Sequence, residues 1–588
     1  MPKFEVKKDF LLDGQPMKII AGGMHYFRVV PEYWRDRLEK MKALGCNTVE
    51  TYVAWNMHEP QKGKFCFEGI CDIKRFLETA AELGMYAIVR PSPYICAEWE
   101  FGGLPGWLLS EDGIRVRTRQ EAFLTHVRDY YKELFKILTP MQITHGGNII
   151  LFQIENEYGS YGEDEEYMKA IKAIMEENGA DVPMFSSDGP WYDYLSCGGI
   201  KGVLQTANFG SQGHEQFKIL KSHIGEDKPL MCSEFWVGWF DAWGDKEHNH
   251  SSIEEHMKDL DEILSEGSVS IYMFEGGTNF GFMNGANYYD HLTPDVTSYD
   301  YDALLTEDGQ ITKKYEGFKE IISKYVDIPE VEFTTKIERK SLGNAVLTDV
   351  KSLFDCLDEI SAPVESHFAL PMEKLGQNYG YILYRTELKR ETEISKFSLM
   401  KANDRANVFL DGRRLIKLYD RELLQEYKFQ EKNVQNKGLD ILVENMGRVN
   451  YGANMDYQQK GIAGGVILNG HHHYGFRQYT LPMDNLDKLT FNETTKVNGE
   501  FESSTVPAFY RYELDVNEKA DTFLDMTGFG KGCVILNGFN LGRFWEVGPQ
   551  HTLYVPAPLL KEGKNEIIVF ETEGKAKASI ETKDEPLL

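Results

Sequence analysis

Two glutamates, Glu157 and Glu234, have the sequence context that most favours chemistry. Glu157 lies in the segment 153–159 (QIENEYG), and Glu234 begins the segment 234–239 (EFWVGW). Two carboxyl groups on opposite sides of one site can divide a bond cleavage between them. One attacks carbon as a nucleophile, while the other donates a proton to the departing oxygen and must stay protonated near neutral pH.

The two glutamates fall within a regular alternation of short apolar runs and amphipathic stretches. This alternation predicts a parallel sheet, and eight such units in about 300 residues predict a closed (β/α)8 barrel, the TIM barrel. The predicted strands are 17–21, 48–52, 86–90, 149–154, 183–186, 203–207, 230–233 and 270–274. The predicted helices are 33–44, 73–83, 121–138, 167–178, 252–266 and 313–326.

The polar and aromatic residues cluster directly after these strands, where barrel enzymes keep their active sites. Glu157 ends strand four and Glu234 follows strand seven, so a closed barrel places them on opposite sides of its mouth. Retaining glycosidases hold two carboxyl groups about 5–5.5 Å apart around a sugar. Asn156, immediately before Glu157, is expected to be able to hydrogen-bond a sugar 2-hydroxyl. Glu155 is interpreted as a structural hydrogen-bonding residue or a surface charge.

A series of motifs in this order resembles glycoside hydrolase family 35, the β-galactosidases, and in particular its small bacterial cytoplasmic-type members. The matching segments are 22–26 (GGMHY), 51–60, 90–99 (RPSPYICAEW), 102–105 (GGLP), 153–159, 233–239, 276–280 (GGTNF) and 298–303 (SYDYDA). The resemblance covers nearly the whole chain, since a C-terminal jelly-roll signature matches as well.

The resemblance implies roles for individual residues. Glu157 resembles the acid/base of the family and Glu234 its nucleophile. Glu98 is expected to accept hydrogen bonds from two galactose hydroxyls, and Tyr301 to hydrogen-bond the nucleophile. The residues expected to hold the galactose are Tyr52, Cys96, Ala97, Glu98, Asn156 and Tyr301. At Phe282 the animal lysosomal members are expected to carry a tyrosine that contacts the sugar.

Three tryptophans, Trp236, Trp239 and Trp243, closely follow the nucleophile. They either pack behind the strand or form a stacking wall for the group beyond the galactose. Tyr451 is expected opposite them, or else buried and hydrogen-bonded locally. The bacterial members that the chain resembles prefer galactose linked β1-3 to N-acetylhexosamine, which gives a hypothesis for this enzyme.

The second half of the chain contains an internal repeat offset by 126 residues. The matched pairs are 384–388 with 510–514, 408–412 with 534–538, and 441–443 with 567–569. A constant offset indicates two related galactose-binding-like β-sandwich (jelly-roll) domains. We therefore predict a barrel over 1–330, a first all-β domain over 331–485 and a second over 486–588. The alternative that 331–378 pack with the last domain stays open.

The composition of the chain limits the classes of molecule that it is expected to bind. The 588 residues carry a net charge of −28, which disfavours nucleic acid and anionic membranes and fits an oligosaccharide substrate. A two-carboxylate mechanism needs no metal or other cofactor. The three histidines at 471–473 (HHH) follow a turn signal, so they are predicted to form a solvated loop and not a metal site.

The location predicted from the sequence is cytoplasmic. The charged N-terminus does not resemble a signal peptide, and the eight scattered cysteines indicate reduced thiols. Export by a route without a signal peptide, and a homodimer, stay open.

Two other functions remain alternatives. An exo-β-glucosaminidase could use the same scaffold, and a non-catalytic galactose-binding protein could use the same barrel. A substrate panel separates the first from a galactosidase, and detectable turnover excludes the second.

Overall fold

A closed barrel of eight parallel strands forms the N-terminal half of the computed structural model, which describes residues 2–452, 454–492, 494–497 and 501–588. Val269 of the eighth strand pairs with Ile20 of the first, which closes the ring. The strands, named β1 to β8, are Ile20–Met24, Thr48–Tyr52, Tyr86–Arg90, Ile149–Gln153, Met184–Asp188, Leu204–Phe209, Met231–Trp236 and Ser268–Glu275. All eight predicted strands and the TIM barrel are confirmed, with ends that differ by a few residues.

Helices surround the barrel and turn their apolar faces towards it. Each of the six predicted helices is present, and four of them begin at a side chain that caps the first turn: Asp72, Asp164, Ser252 and Thr312. The principal helices are Trp34–Leu44, Ile73–Glu82, Glu121–Met141, Glu165–Glu177, Gly213–Ile224, Ile253–Glu266 and Lys313–Ile322.

The helix Gly213–Ile224 was missed by the sequence analysis. Phe217 and Leu220 are its only large buried side chains, so its apolar stripe is too narrow to give a clear helical period.

Two all-β regions follow the barrel and confirm the internal repeat. In the first, strands Tyr381–Glu387, Gly438–Glu444, Arg405–Leu410 and Arg413–Tyr419 pair in that order. In the second, Ala508–Val516, Gly563–Glu571, Lys531–Leu536 and Phe539–Trp545 pair in the same order. The two related sheets share a hydrophobic cluster that includes Phe409 and Phe570.

The segment between barrel and β-domains is divided between them. Strand Asn344–Ser352 pairs with Ala508–Val516, so it belongs to the sheet of the last domain. Strand Val364–Ser366 instead pairs with Phe476–Leu481 of the first domain. A single boundary at 331 therefore does not describe this segment, because sequence order does not reveal which sheet edge an isolated strand joins.

The predicted loop at 471–473 is wrong: His471–His473 forms a short strand. His473 is buried and is hydrogen-bonded to Glu391 at 2.9 Å and to Thr386 Oγ1 at 2.8 Å. Within the described ranges, no helix has the length and apolar character needed to cross a bilayer.

The first all-β domain is joined to the barrel by a shared sheet and by a buried arginine. Strand Val449–Gly452 pairs in parallel with Ala286–Tyr288, which extends from the barrel after β8. Arg448 is fully buried and forms ion pairs with Glu100 of the barrel and Glu373 of the β-domain. The position of this strand at the barrel mouth therefore depends on a charge interaction that is shielded from water.

Replacing Arg448 is expected to destabilise the protein strongly. The substitution Arg448→Ala leaves two buried carboxylates without their cation, a change that typically costs about 3–5 kcal/mol. Denaturant unfolding followed by fluorescence measures the loss.

Arg421→Ala is the matched control, since its ion pair with Asp290 across the same domain boundary is exposed. We expect the control to lose less than about 1 kcal/mol. Equal losses in the two variants would contradict the role given to Arg448.

Candidate active site

A cavity of about 260 Å³ opens at the C-terminal end of the barrel strands. Every predicted site residue except Trp243 lines it. These residues are Tyr52, Cys96, Ala97, Glu98, Asn156, Glu157, Glu234, Trp236, Trp239, Tyr301 and Tyr451. Residues separated by up to 399 positions in the sequence are thus brought to one pocket, as the barrel prediction requires.

Glu234 is held by hydrogen bonds from three donors. Arg90 Nη1 donates to Glu234 Oε1 at 2.7 Å, and the hydroxyl of Tyr52 donates to the same oxygen. The indole Nε1 of Trp236 donates to Oε2 at 3.1 Å. Because both oxygens are engaged, the carboxylate has a fixed orientation towards the cavity.

Arg90 is the fully buried cation at the centre of this network. Its Nη2 lies 2.9 Å from Glu50 Oε1 and donates to Ser233 O at 2.5 Å, while Nη1 also donates to Tyr52 OH at 2.8 Å. Burial raises the pKa of Glu50 to about 7, and the positive charge of Arg90 opposes that shift. Sequence reasoning quoted Arg90 in a motif and gave it no role, because only the structure shows which carboxylates face it.

Glu157 is only partly buried and faces the same cavity. Desolvation, reinforced by the negative charge of Glu234, raises the pKa of Glu157 to about 8. Asn208 Nδ2 at the end of β6 donates to Glu157 Oε1 at 3.0 Å. The two predicted carboxyl groups therefore differ in environment, since a buried arginine contacts Glu234 and an uncharged amide contacts Glu157.

The segment Cys96, Ala97 and Glu98 has an unusual backbone, with all three residues in the left-handed region at φ values of 55°, 56° and 46°. Such conformations are unfavourable for residues other than glycine and persist where surrounding contacts hold them. Gly285 N donates to Glu98 O at 2.9 Å, and Arg28 donates to Ala97 O. This backbone places all three residues on the cavity wall.

The carboxyl group of Glu98 is partly engaged by the protein. The hydroxyl of Tyr299 donates to Glu98 Oε2. Burial is the main cause that raises the pKa of Glu98 to about 7. The two-hydroxyl contact implied by the resemblance would therefore share one oxygen with Tyr299.

Tyr301 lines the cavity beside Tyr272, with ring centroids 5.4 Å apart. Its left-handed φ of 64° brings its carbonyl against Gly238, where a Cβ atom would lie only 1.7 Å from that oxygen. The donors to Glu234 in the structure are Tyr52, Arg90 and Trp236, and the hydrogen bond expected from Tyr301 stays a prediction.

Aromatic side chains form the outer part of the cavity. Trp236 lies between Trp191 and Trp239, with ring centroids 5.9 Å and 6.2 Å away. Tyr451 packs against Tyr289, with ring centroids 6.3 Å apart. Sequence reasoning missed Trp191 and Tyr289. Trp191 follows the end of β5 at Asp188, whereas the predicted strand ended at residue 186.

Trp243 and Phe282 do not line the cavity. Trp243 is buried outside the cavity lining, because the chain turns away after Phe240 and forms a bridge between Ala242 and Asp295. Phe282 lies in the hydrophobic cluster between the β-domains, with the guanidinium of Arg543 4.6 Å from its ring centroid.

Glu155 has the structural role considered for it. Arg117 Nε and Nη2 contact its two oxygens at 3.2 and 2.9 Å, and Tyr167 OH donates to Oε1 at 2.8 Å. Arg117 Nη2 also donates to Asn156 O at 2.8 Å, so this ion pair fixes the backbone just before Glu157. Among the residues that the structure describes, no group of three or more His, Cys, Asp or Glu side chains is arranged to hold a metal ion.

Comparison with known proteins agrees with this architecture. Residues 9–325 match the model of glycosyl hydrolases family 35. Residues 369–482 match the first all-beta domain of beta-galactosidases, and 507–565 match their galactose-binding domain. The chain therefore belongs to glycosyl hydrolase family 35. It is a glycoside hydrolase built from the three parts of a β-galactosidase.

Three relatives illustrate the extent of the similarity. Beta-galactosidase-1-like protein 2 of Homo sapiens is 41% identical over 578 residues, which cover 96% of this chain and 88% of the human protein. Beta-galactosidase of Xanthomonas manihotis is 40% identical over 554 residues, which cover 93% of this chain and 90% of the bacterial protein. Beta-galactosidase 17 of Arabidopsis thaliana is 38% identical over 612 residues, which cover 97% of this chain and 87% of the plant protein.

The raised pKa of Glu157 leads to a prediction about pH. A reaction that needs the proton of Glu157 slows as the pH rises through about 8, because the carboxyl group then ionises. We expect kcat/KM for an aryl β-galactoside with a poor leaving group to fall along an alkaline limb near that pH.

The variant Glu157→Gln is expected to lose this limb, whereas Glu155→Gln is not, since Glu155 is outside the cavity lining. An alkaline limb that persists in Glu157→Gln would assign the titration to another group.

Proposed function

We propose that this enzyme is a retaining exo-β-galactosidase, with Glu157 as acid/base and Glu234 as nucleophile. The observation that carries the proposal is the contrast between the two carboxyl groups in one cavity. Glu234 is oriented by Arg90, Tyr52 and Trp236, whereas the pKa of Glu157 is raised by burial and by the charge of Glu234. Groups with these properties suit a nucleophile and a proton donor respectively.

The proposed reaction is a double displacement. Glu234 attacks the anomeric carbon while Glu157 transfers its proton to the glycosidic oxygen, so that the aglycone leaves as an alcohol and a galactosyl-enzyme ester forms. Glu157, now a carboxylate, removes a proton from water as the water attacks the same carbon. Glu234 is released, and two inversions give net retention of configuration.

Exo action is supported by the shape of the cavity. Its inner end is formed by Tyr52, Glu98 and Asn156, while the exposed aromatic side chains lie at its outer end. Such a pocket accepts the terminal unit of a chain, and it places the next unit among the aromatic residues.

We also propose a preference for galactose linked β1-3 to N-acetylhexosamine. Trp236 and Trp239 stand at the cavity mouth, and Tyr451 stands there too, supplied by the first all-β domain. Aromatic walls of this kind constrain the plane of the second sugar, which is how a linkage preference can arise.

A cytoplasmic location is a further part of the proposal. It is supported by the eight cysteines, which are all free thiols in the structure. Free thiols are typical of reducing compartments. Cell fractionation followed by immunodetection tests this location, and recovery in the secreted fraction would contradict it.

Azide rescue tests the nucleophile. We expect Glu234→Gly to reduce hydrolysis of an activated aryl β-galactoside by at least about a thousandfold, because the covalent step is lost. Added azide should restore turnover and give α-galactosyl azide, since the small anion attacks from the vacated side.

Trp243→Phe is the matched control, because Trp243 lies outside the cavity lining. It should retain near wild-type activity and show no azide effect. A wild type that cleaves β-glucosaminides and leaves β-galactosides intact would favour the glucosaminidase alternative instead.

Linkage preference is tested with paired disaccharides. We expect the wild type to hydrolyse galactosyl-β1-3-N-acetylglucosamine faster than the β1-4 isomer. Trp236→Ala and Trp239→Ala should reduce the ratio of the two kcat/KM values by about tenfold, with little change for an aryl galactoside in Trp239→Ala. A faster β1-4 rate in the wild type would contradict the proposed preference.

A further inference from the structure

Asn208, at the end of β6, is a buried polar residue that contacts the acid/base candidate. Its Nδ2 donates to Glu157 Oε1 at 3.0 Å, and its backbone pairs with Glu234 in the register of β6 and β7. Asn208 therefore neighbours Glu234 along the barrel wall and contacts Glu157 through its side chain, although it does not line the cavity. Nothing in its sequence context, the run LQTANFG, distinguishes it from an ordinary strand residue.

Hydroxyl groups fix the orientation of this amide. Ser187 Oγ on β5 donates to Asn208 Oδ1 at 2.5 Å, and Ser233 Oγ on β7 donates to the same oxygen at 3.0 Å. Thr206 Oγ1 lies 2.6 Å from Ser233 Oγ and extends the cluster. With the hydroxyl donors on the amide oxygen, the amide nitrogen faces Glu157. A reversed amide would set its oxygen against Glu157 Oε1, which is unfavourable when that carboxyl group is ionised.

We propose that Asn208 is a positioning residue for the acid/base carboxyl group, and that the hydroxyl cluster of Ser187, Thr206 and Ser233 sets its donor direction. This inference rests on the proposed role of Glu157. Because Asn208 Nδ2 donates a hydrogen bond to Glu157 Oε1, the proton of the neutral Glu157 carboxyl group is carried by Oε2. The same hydrogen bond strengthens when Glu157 is ionised, so it favours donation of the proton, and in the later step it holds the resulting carboxylate in a fixed orientation.

Several other groups influence the same carboxyl group and must be kept constant in any test. The charged and titratable groups that interact with Glu157 are Glu234, Arg90, Glu98, Asp188, Tyr94, Cys96, Tyr301 and Tyr451. None of these needs to be altered to remove the amide of Asn208.

The cluster also connects the acid/base to the nucleophile. Ser233 directly precedes Glu234, and its carbonyl oxygen accepts from Arg90 Nη2, the guanidinium that also contacts Glu234. A displacement of the Asn208 amide therefore affects proton transfer first. The orientation of Glu234 is kept by its own three donors.

The test compares pH profiles of the wild type, Asn208→Ala and Asn208→Asp. Loss of a donor to the ionised form of Glu157 raises the pKa of that carboxyl group, so the alkaline limb of kcat/KM should move up by about one pH unit. In Asn208→Asp an acceptor replaces the donor at similar volume, and the limb should move at least as far.

A second readout uses the leaving group. Hydrolysis of an alkyl or methylumbelliferyl β-galactoside needs proton donation and should fall about tenfold in Asn208→Ala. Galactosylation by 2,4-dinitrophenyl β-galactoside needs little proton donation, so its rate should stay within about twofold of the wild type. Ser187→Ala removes one of two hydroxyl donors to the amide oxygen of Asn208. It should move the alkaline limb of kcat/KM in the same direction as Asn208→Ala, but by less.

The outcomes separate this inference from the proposed function. An unshifted alkaline limb with equal losses on all leaving groups would show that Asn208 is only structural. If Glu157→Gln still hydrolyses poor leaving groups at the wild-type rate, the assignment of Glu157 itself is wrong. Equal thermal unfolding temperatures in Asn208→Asp and the wild type ensure that a shifted limb does not reflect misfolding.

Discussion

The ion pairs of Arg90 are the interaction on which the active site depends. Burying several carboxyl groups in one pocket is unfavourable unless cations or donors compensate them. Arg90 contacts both Glu50 and Glu234, whereas the amide of Asn208 contacts Glu157, whose pKa is raised by burial and by the charge of Glu234. The different environments of Glu157 and Glu234 thus follow from where this guanidinium lies.

The barrel alone does not complete the pocket. Tyr451 enters on a strand from the first all-β domain, and the hydroxyl of Tyr94 in the barrel donates to Asn450 O on the same strand. Asn450 Nδ2 lies 3.6 Å from Cys96 Sγ, within the left-handed segment that forms the cavity wall. Since these contacts are formed only when the domains are docked, the outer part of the substrate site depends on domain docking.

The two β-domains are themselves held together by buried charge. Glu444 of the first domain is 2.6 Å from Lys531 Nζ and 2.9 Å from Arg543 Nη1 of the second. Arg543 also donates to Asn284 of the barrel at 2.8 Å. A fully buried network that joins all three regions favours one relative arrangement, because a displaced domain would leave charges unpaired.

The sequence by itself determined the barrel and the repeat, and it singled out Glu157 and Glu234, because periodicity, constant offset and position after a strand are local properties of the chain. Eleven of the twelve site residues that it proposed line the cavity. Only the tertiary structure decided the rest. Trp243 lies outside the cavity because the chain turns away after Phe240. Strands and loops distant in sequence determine the positions of Arg90, Asn208, Trp191 and Tyr289. Such contacts depend on register and packing between elements, which no local pattern of residues encodes.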